Sequence, residues 1–446
     1  MRPALLARPL PPCRPAVRHV SDSIRLTPID RSQKPARSSA DLVPHRSYRL
    51  RVPLLKSPSH LGHYSSRGNR LSNEDTYSAC VLDLAGRTVF SFAVFDGHGG
   101  SQCLRFLQAR LAGFAEGASP LVASGPAGDA ARSALLRKYK DDIGGYWRRW
   151  FRHKDANLEA LRHAAPQVAA LQNIAVPPDD LMLRLPLAHL AADYGFFAQD
   201  DNALGSTCTA AYLETVHAGD KGAFLPVYES HFFNRNTVSR LTVAQVGDTK
   251  AILVDRHGAA HALTQAHHPS NPAEAARLRR YLASHFMTDS FGEERFVSLA
   301  NTRAFGDLQF KEMGVTAEPD VAQMVVGDAH TILATLTPAE IAAHTVGGLG
   351  GDEAFLLLCT DGVTNELTDQ EIADIVMVNF NMRGHLAASP QSCAEEVVRF
   401  VEYIGGDDNA TCIVLRLSGW GRWPLRDRTG LLRQERLDAY QPRDRG

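Results

Sequence analysis

The chain lacks several features that would assign it to a specialised class of protein. No apolar run reaches the length of about 18 residues that a transmembrane helix needs. The formal net charge of −1 gives no electrostatic reason to expect binding to nucleic acid or to an anionic membrane. The 446 residues include seven cysteines without a C-x-x-C pair. This usage is typical of a reducing compartment and argues against a disulfide framework or a zinc knuckle.

Acidic residues are scarce near the start of the chain. Residues 1–50 contain nine arginines and one lysine, but only three aspartates and no glutamate. This composition is typical of a transit peptide, so we expect a basic leader that directs the protein to the mitochondrial matrix. Five early prolines would break an amphipathic helix there, which leaves a basic tail on a cytoplasmic protein as the alternative. Residues 418–446 are a second basic segment, predicted as a strand end followed by a mobile tail.

Between these ends, residues 60–417 have the pattern of one mixed domain, with a largely helical insertion at about 113–203. Strands and helices do not alternate regularly, which argues against a doubly wound parallel sheet. The sequence predicts an α+β fold with four layers, in which two central antiparallel sheets are flanked by helices. Strands are predicted at 77–83, 88–95, 207–214, 240–246, 250–255, 355–360 and 410–416, and helices at 101–112, 272–284, 368–377 and 392–404.

Three local signals predict where helices begin. Thr368 with Glu371, and Ser392 with Glu395, each have the spacing of a capping box. Pro272 suits the first position of a helix, where its missing N–H costs nothing.

Acidic residues recur beside predicted strand ends. Asp96 ends one apolar run and precedes Gly97, and Asp361 ends another and also precedes a glycine. Hard divalent cations bind carboxylate oxygens from separate chain segments, so these residues indicate Mg²⁺ or Mn²⁺ rather than Zn²⁺. A single Asp-Gly pair is usually only a turn, which is the alternative. The segments concerned are RLSNED (70–75), FDGHGG (95–100), LLLCTDGVTNEL (356–367) and GGDDNATCIVLRL (405–417).

In this order the motifs resemble those of the metal-dependent serine/threonine protein phosphatase family, type 2C (PPM), over roughly residues 64–417. Together with the arginine-rich leader, they resemble its fungal mitochondrial members. The motifs are Arg70 with Glu74 and Asp75 (R-x-x-x-E-D), 96–100 (D-G-H-x-G), 205–209 (G-S-T), 246–248 (G-D), 263–269 (L-T-x-D-H-x-P), 301–307 (S-R-A-F-G-D), 360–362 (D-G) and 407–409 (D-N).

The resemblance implies a centre with two Mn²⁺ or Mg²⁺ ions between the two sheets. Asp96 would contact both ions. Asp361 and Asp408 would complete the first, the Gly97 carbonyl and Glu74 would serve the second, and Asp75 would support a water molecule at the centre.

A third metal site is left open by the resemblance. Asp248 matches an aspartate of that site, but Asn365 stands where many members have an acidic residue. Ala266 stands where the family usually has an aspartate.

For catalysis, the resemblance implies that Arg70 grips the phosphate and that His98 protonates the departing serine or threonine oxygen. The alternatives are a surface salt bridge for Arg70 and a ligand-orienting role for His98. The segment 278–300 corresponds to a variable flap that would select substrates.

The function that follows is hydrolysis of phosphoserine and phosphothreonine in proteins by a monomer. Its expected partners are phosphoproteins, among them mitochondrial matrix enzymes such as the pyruvate dehydrogenase complex. One alternative is a catalytically inactive scaffold that binds phosphoproteins. Another is a hydrolase of small phosphoesters with a different entrance to the same site.

Overall fold

The computed structural model describes residues 20–26, 50–144, 181–198, 204–217, 232–233, 236–282, 286–288, 294–296 and 299–439. No helix in these ranges is long and apolar enough to cross a membrane.

The strands of the described chain are β1 (Ser23–Leu26), β2 (Leu50–Pro53), β3 (Leu61–Ser66), β4 (Asp75–Leu84), β5 (Arg87–His98), β6 (Gly205–His217), β7 (Val238–Val246), β8 (Lys250–Val254), β9 (Ala260–Ala262), β10 (Phe286–Thr288), β11 (Glu294–Phe296), β12 (Phe305–Gly306), β13 (Asp320–Gly327), β14 (Phe355–Cys359) and β15 (Ala410–Arg416). The first large sheet has the order β13-β7-β6-β5-β4, and β12 also pairs with β6. The second has the order β3-β15-β14-β8-β9. All strand pairs within them are antiparallel.

The helices are α1 (Gln102–Gly117), α2 (Ser119–Val122), α3 (Pro126–Asp142), α4 (Leu181–Phe197), α5 (Pro272–Leu282), α6 (Leu308–Lys311), α7 (Ala329–Thr335), α8 (Pro338–His344), α9 (Asp361–Thr364), α10 (Asp369–Ala387), α11 (Pro390–Tyr403) and α12 (Gly430–Ala439). Helices α1 and α4 cover the outer face of the first sheet, and α10 and α11 cover that of the second. The predicted four-layer arrangement is confirmed. The described parts of 113–203 are mainly helical, and residues 145–180 lie outside the described residues.

Strand β5 shows how the sandwich is packed. Val89, Ala93 and Phe95 face the helices α1 and α4, whereas the alternate residues Phe92 and Val94 face the second sheet. A strand buried on both faces gives a continuous apolar run, because successive side chains point to opposite sides. The run therefore ends where the strand reaches the edge of the core, at Asp96.

Two of the three predicted helix starts are confirmed. Pro272 is the first residue of α5. Thr368 and Glu371 form a reciprocal capping box at α10. The box predicted at Ser392 is wrong, because α11 begins at Pro390 and is capped one turn earlier by Ser389. Ser392 is the partner in that box, so its hydroxyl occupies the place that a glutamate more often takes.

Both basic ends contribute packed residues. Within 1–50, strand β1 pairs with β2, and Ile24 is buried in the core between the two sheets. At the other end, Trp420 and Trp423 pack against each other with ring centroids 5.3 Å apart and contact Phe355 and Phe380. The two tryptophans thus pack onto the outer face of the second sheet, and α12 is tied to α10 by Arg436, which donates to Glu371 over 2.6 Å.

Candidate functional site

A cavity of about 250 Å³ opens where strands of both sheets end. Asp96 reaches it from β5, and Asp248 reaches it from the turn after β7. Asp361 lies two residues after the end of β14, at the start of α9. The buried strands bring these carboxylates together from sequence positions far apart. The lining consists of Asp96, His98, Thr207, Asp248, Arg295, Leu299, Ala300, Asn301, Asp307 and Asp361.

Asp75 lies directly beside this cavity. It stands opposite Asp96 in the β4–β5 register, and its Oδ2 accepts a hydrogen bond of 2.7 Å from the Thr360 hydroxyl. The neighbouring backbone is also tied across the strands, since Gly97 N–H donates to the Glu74 carbonyl over 2.8 Å. The predicted site residues Asp75, Asp96 and Gly97 therefore lie together where β4 pairs with β5, next to the backbone of Glu74.

Asp408 and Arg70 lie next to each other at the edge of the same region. Arg70 Nη2 donates to Asp408 Oδ2 over 2.8 Å, and the two side chains are 59% and 38% exposed. The Asn409 side chain fixes the adjoining loop, because it accepts from Glu74 N–H and donates to the carbonyls of Arg67 and Ser72.

The carboxylates at the cavity repel one another. Burial, followed by the charges of Asp361 and Asp408, raises the pKa of Asp75 to about 7, although hydrogen bonds oppose the shift. Burial and neighbouring aspartates also raise the pKa of Asp361 to about 6. The pKa of Asp96 lies well above its usual value for the same reasons, burial first and then the charge of Asp361. Such shifts indicate negative charge that the protein itself leaves uncompensated.

Several oxygen atoms here fit a hard cation. Asp75 Oδ1, Thr207 Oγ1, Asp248 Oδ1 and Asn301 Oδ1 are buried without a hydrogen-bond partner. Oxygen is the ligand type that Mg²⁺ and Mn²⁺ prefer. Among the described residues, no group of three or more His, Cys, Asp and Glu side chains is already closed around a single ion position. These oxygen atoms are therefore suitable ligands for divalent cations, but the described residues do not already form a complete coordination shell.

His98 lies in the cavity and is held by Asp307. The His98 Nε2 to Asp307 Oδ2 distance is 2.8 Å, and Asp307 is almost fully buried. Burial lowers the pKa of His98, but the hydrogen bond and the charge of Asp307 outweigh it, so that the net pKa is raised. A Cβ atom at Gly205 would lie 2.3 Å from His98 Nε2 and 2.4 Å from Asp307 Oδ2. The glycine of the G-S-T motif thus makes room for this pair.

The chain is similar to known phosphatases. The family model described as Protein phosphatase 2C matches residues 190–337. Protein phosphatase 2C homolog 4 of Schizosaccharomyces pombe is 31% identical over 403 residues, which are 88% of this chain and 89% of that protein. The chain belongs to the protein phosphatase 2C family. The predicted enzyme class, a serine/threonine protein phosphatase, is thereby confirmed.

Two further comparisons agree with placing this phosphatase in the protein phosphatase 2C family. Protein phosphatase 1K, mitochondrial, of Xenopus laevis is 29% identical over 236 residues, which are 51% of this chain and 54% of that protein. The solved structure of a C. elegans sex determining protein is similar with a TM-score of 0.50 at 16% identity, covering 81% of this chain and 65% of that one. At this identity, the structural likeness supports the fold alone.

Asp248 has a specific partner in this phosphatase. Its Oδ2 lies 3.0 Å from His268 Nε2. Burial raises the pKa of Asp248, but the hydrogen bond and the charge of His268 outweigh it and lower the net pKa. The candidate residue for a third metal is therefore already engaged by a histidine of the chain.

For several residues that line the phosphatase cavity, the sequence predicted no role. Asp307 was part of a recognised motif, and its pairing with His98 could not be read from a spacing of 209 residues. Arg295 comes from the predicted flap, of which residues 283–285, 289–293 and 297–298 lie outside the described residues. Only the motif order could have indicated Asp307 beforehand.

Proposed function

We propose that this phosphatase hydrolyses phosphoserine and phosphothreonine at the cavity with the help of two divalent cations, Mn²⁺ or Mg²⁺. The observation that carries the proposal is the convergence of uncompensated carboxylates from both sheets beside the His98–Asp307 pair. A site that only closes a turn would not need several buried aspartates whose pKa values are raised by burial and then by one another's charge.

The residues that would hold the cations are Asp96, Asp361, Asp408, Glu74 and the Gly97 carbonyl oxygen, with Asp75 supporting a water molecule. Bound there, such cations would neutralise the charge of a phosphate group and lower the pKa of water, so that a nucleophile is available at neutral pH.

Arg70 and His98 would handle the substrate. The exposed Arg70 guanidinium can donate two parallel hydrogen bonds to phosphate oxygens. The raised pKa of His98 favours the imidazolium, which can act as a general acid. Because Nε2 faces the Asp307 carboxylate, the proton that His98 passes to the leaving oxygen is the one on Nδ1.

The test measures phosphate release from a phosphothreonine peptide with and without added Mn²⁺. We expect cation-dependent turnover that falls at least about 100-fold in Asp96→Asn and in Asp361→Asn. The control variant Asp141→Asn removes an exposed carboxylate of α3 and should keep full activity. Turnover that is unaffected by chelation, or that survives Asp96→Asn, would contradict the proposal.

Two other outcomes identify the alternative functions. Binding of the phosphopeptide without turnover at any Mn²⁺ concentration would indicate an inactive scaffold. Efficient turnover of a nucleotide monophosphate that the phosphopeptide fails to inhibit would indicate a hydrolase of small phosphoesters.

We also propose that the protein acts in the mitochondrial matrix as a monomer on phosphorylated matrix enzymes. The basic composition of 1–50 and the similarity to a relative named mitochondrial support this location. Because Ile24 is buried in the domain core, we place removal of a leader before Val20. N-terminal sequencing of the protein recovered from isolated mitochondria tests this, and a mature form that lacks residues 20–26 would contradict it. Elution of that form as a dimer would contradict the monomer.

A further inference from the structure

A buried ion pair lies behind the cavity, outside the residues assigned to catalysis. Asp193 on α4 and Lys311 on α6 have no exposed side-chain surface, and Asp193 Oδ2 lies 2.9 Å from Lys311 Nζ. Tyr139 of α3 donates its hydroxyl to the same carboxylate oxygen over 2.6 Å. Removing two charges from water is costly, so an ion pair at such a position is weak evidence for a role in stability. What it does to the backbone is more informative.

The pair binds both peptide groups that flank Phe305. Gly306 N–H donates to Asp193 Oδ1 over 2.8 Å, and Lys311 Nζ donates to the Ala304 carbonyl over 2.7 Å. The next residue is Asp307, whose own N–H donates to the Leu204 carbonyl over 2.9 Å. The short turn from Ala304 to Asp307 is therefore fixed on its buried side by one carboxylate and one ammonium group.

This turn needs such support because its backbone is unusual. Gly306 and Asp307 are both left-handed, with φ values of 68° and 49°. Only the first is a glycine. Aspartate adopts the left-handed region more often than most other residues with a side chain, but this conformation still costs free energy relative to the right-handed one. Strain of this kind persists only where the surroundings impose it. Here it aims the Asp307 carboxylate at His98 Nε2.

We propose that Asp193, together with Lys311, is a positioning residue for the proton transfer that His98 performs. This inference rests on the proposed function of His98. As the oxygen of a water molecule forms a new bond to phosphorus and that water loses a proton to solvent, the bond between phosphorus and the threonine oxygen breaks. The threonine oxygen keeps the electron pair and takes the proton from His98 Nδ1. The Asp193–Lys311 pair does not touch the substrate, and it acts by holding the 304–307 turn and hence Asp307.

The proposal gives the helical region 113–203 a part in catalysis. Asp193 lies on α4 and Tyr139 on α3, and both helices belong to that region. Tyr139 donates a hydrogen bond to Asp193, and Asp193 accepts another from the Gly306 N–H. Gly306 is followed in the chain by Asp307, so these contacts connect the outer helix layer to the cavity.

The test compares two substrates in the presence of Mn²⁺. A phosphothreonine peptide has a strongly basic leaving oxygen that needs a proton, whereas the phenolate of p-nitrophenyl phosphate leaves without one. The variant Asp193→Asn with Lys311→Met removes both charges together, so that neither remains buried alone. We expect its kcat on the peptide to fall about tenfold or more, with less than about threefold loss on p-nitrophenyl phosphate. His98→Asn should give the same selectivity to a larger extent.

A matched control removes a different buried ion pair, which lies within the first sheet between β6 and β7. Glu214 Oε2 and Arg240 Nη2 are 2.6 Å apart, and Glu214 lies near the opposite end of β6 from Gly205. The variant Glu214→Gln with Arg240→Met should lower stability without any selectivity between the two substrates. If the Asp193 variant does not fold, Tyr139→Phe removes only the hydroxyl and should show a smaller selective loss on the peptide.

A second readout does not depend on metal or turnover. In the metal-free protein, the proton on His98 Nε2 should give a slowly exchanging NMR signal, assigned by its loss in His98→Asn. We expect this signal to broaden or vanish in the Asp193→Asn, Lys311→Met variant and to persist in the Glu214 control. An unchanged signal together with equal losses on both substrates would overturn the proposal. Failure of the proposed function itself is distinct, because the parent would then lack Mn²⁺-dependent turnover of either substrate.

Discussion

Two groups of acidic residues near the ends of the central strands differ in what neutralises them. In the compensated cluster (Glu274, Arg277, Arg303 and Asp320), both arginines donate to Glu274, and Arg303 also bridges to Asp320 over 2.7 Å. In the cavity cluster (Asp75, Asp96, Asp248 and Asp361), Asp248 is paired with His268, and His98 and Arg295 line the same cavity.

The pKa values follow this difference. Burial would raise the pKa of Glu274, but the arginines outweigh burial and lower it. Burial would likewise raise the pKa of Asp320, but His267 and Arg303 outweigh burial and lower this pKa to about 2. Burial without compensation raises the pKa values of Asp75, Asp96 and Asp361. Where the chain supplies the positive charge, the site is structural, and where it withholds that charge, the site is suited to a cation from solution.

The largest expected effect comes from removing the charge of one carboxylate in each cluster and comparing the stability of the two variants. Glu274→Gln leaves Arg277 and Arg303 buried without their carboxylate and should lower the free energy of unfolding by about 3–5 kcal/mol. Asp96→Asn removes a repelling charge and should stabilise the metal-free protein instead. Urea denaturation in the presence of a chelator measures both. Equal destabilisation by the two substitutions would remove the distinction between the clusters.

The pH dependence of stability should also separate them. Burial raises the pKa of Asp75 to about 7 in the folded, metal-free protein, whereas the ordinary pKa of this carboxyl, expected in the unfolded chain, is 3.8. The folded state therefore binds more protons between these values, and stability falls as the pH rises through this window. For a shift of about three pKa units, the loss is at most about 4 kcal/mol. Asp320 of the compensated cluster has the opposite sign, because its pKa is lowered and its contribution to stability is lost as the pH falls below 3.8 towards about 2.

Unfolding of the chelated protein at pH 5 and pH 7.5 measures this slope. Asp75→Asn should reduce it, and so should saturating Mn²⁺, while Glu274→Gln should leave it unchanged. A slope that is the same in the parent and in Asp75→Asn would show that Asp75 does not carry the raised pKa.

Much of this comparison could be predicted from the sequence, and part of it could not. The strand ends at Asp96 and Asp361 were visible because buried strands read as apolar runs that stop at a carboxylate. Their meeting at one cavity followed from the resemblance to a known family. The role of Asp307 was not visible, because its pairing with His98 depends on a left-handed turn and on a glycine 102 residues earlier in the chain.

Local rules also failed where tertiary contacts compete with them. The start of α11 was predicted at Ser392 because a glutamate follows at the usual spacing, whereas Ser389 caps the helix in the structure. The C-terminal segment contains tryptophans among glycines, a pattern that does not reveal which surface they cover. Trp420 and Trp423 are buried against Phe355 and Phe380, which come from other parts of the chain.

The smallest expected effect concerns the one aspartate of the cavity cluster that has a histidine partner. His268 keeps the pKa of Asp248 low, so Asp248 does not share the raised pKa of its neighbours. His268→Ala should let the pKa of Asp248 rise and cost about 1–2 kcal/mol of stability in the metal-free protein at neutral pH. The substitution makes the cluster uniformly uncompensated, so Mn²⁺ should recover more stability in the variant than in the parent.

Thermal unfolding with and without Mn²⁺ measures this gain, and calorimetric titration gives the corresponding affinity. The control His257→Ala removes an exposed histidine in the loop after β8 and should change neither quantity. A weaker Mn²⁺ effect in His268→Ala would mean that the imidazole assists cation binding. His268 would then belong with the cation-binding residues, and the boundary between the two kinds of cluster would run through Asp248.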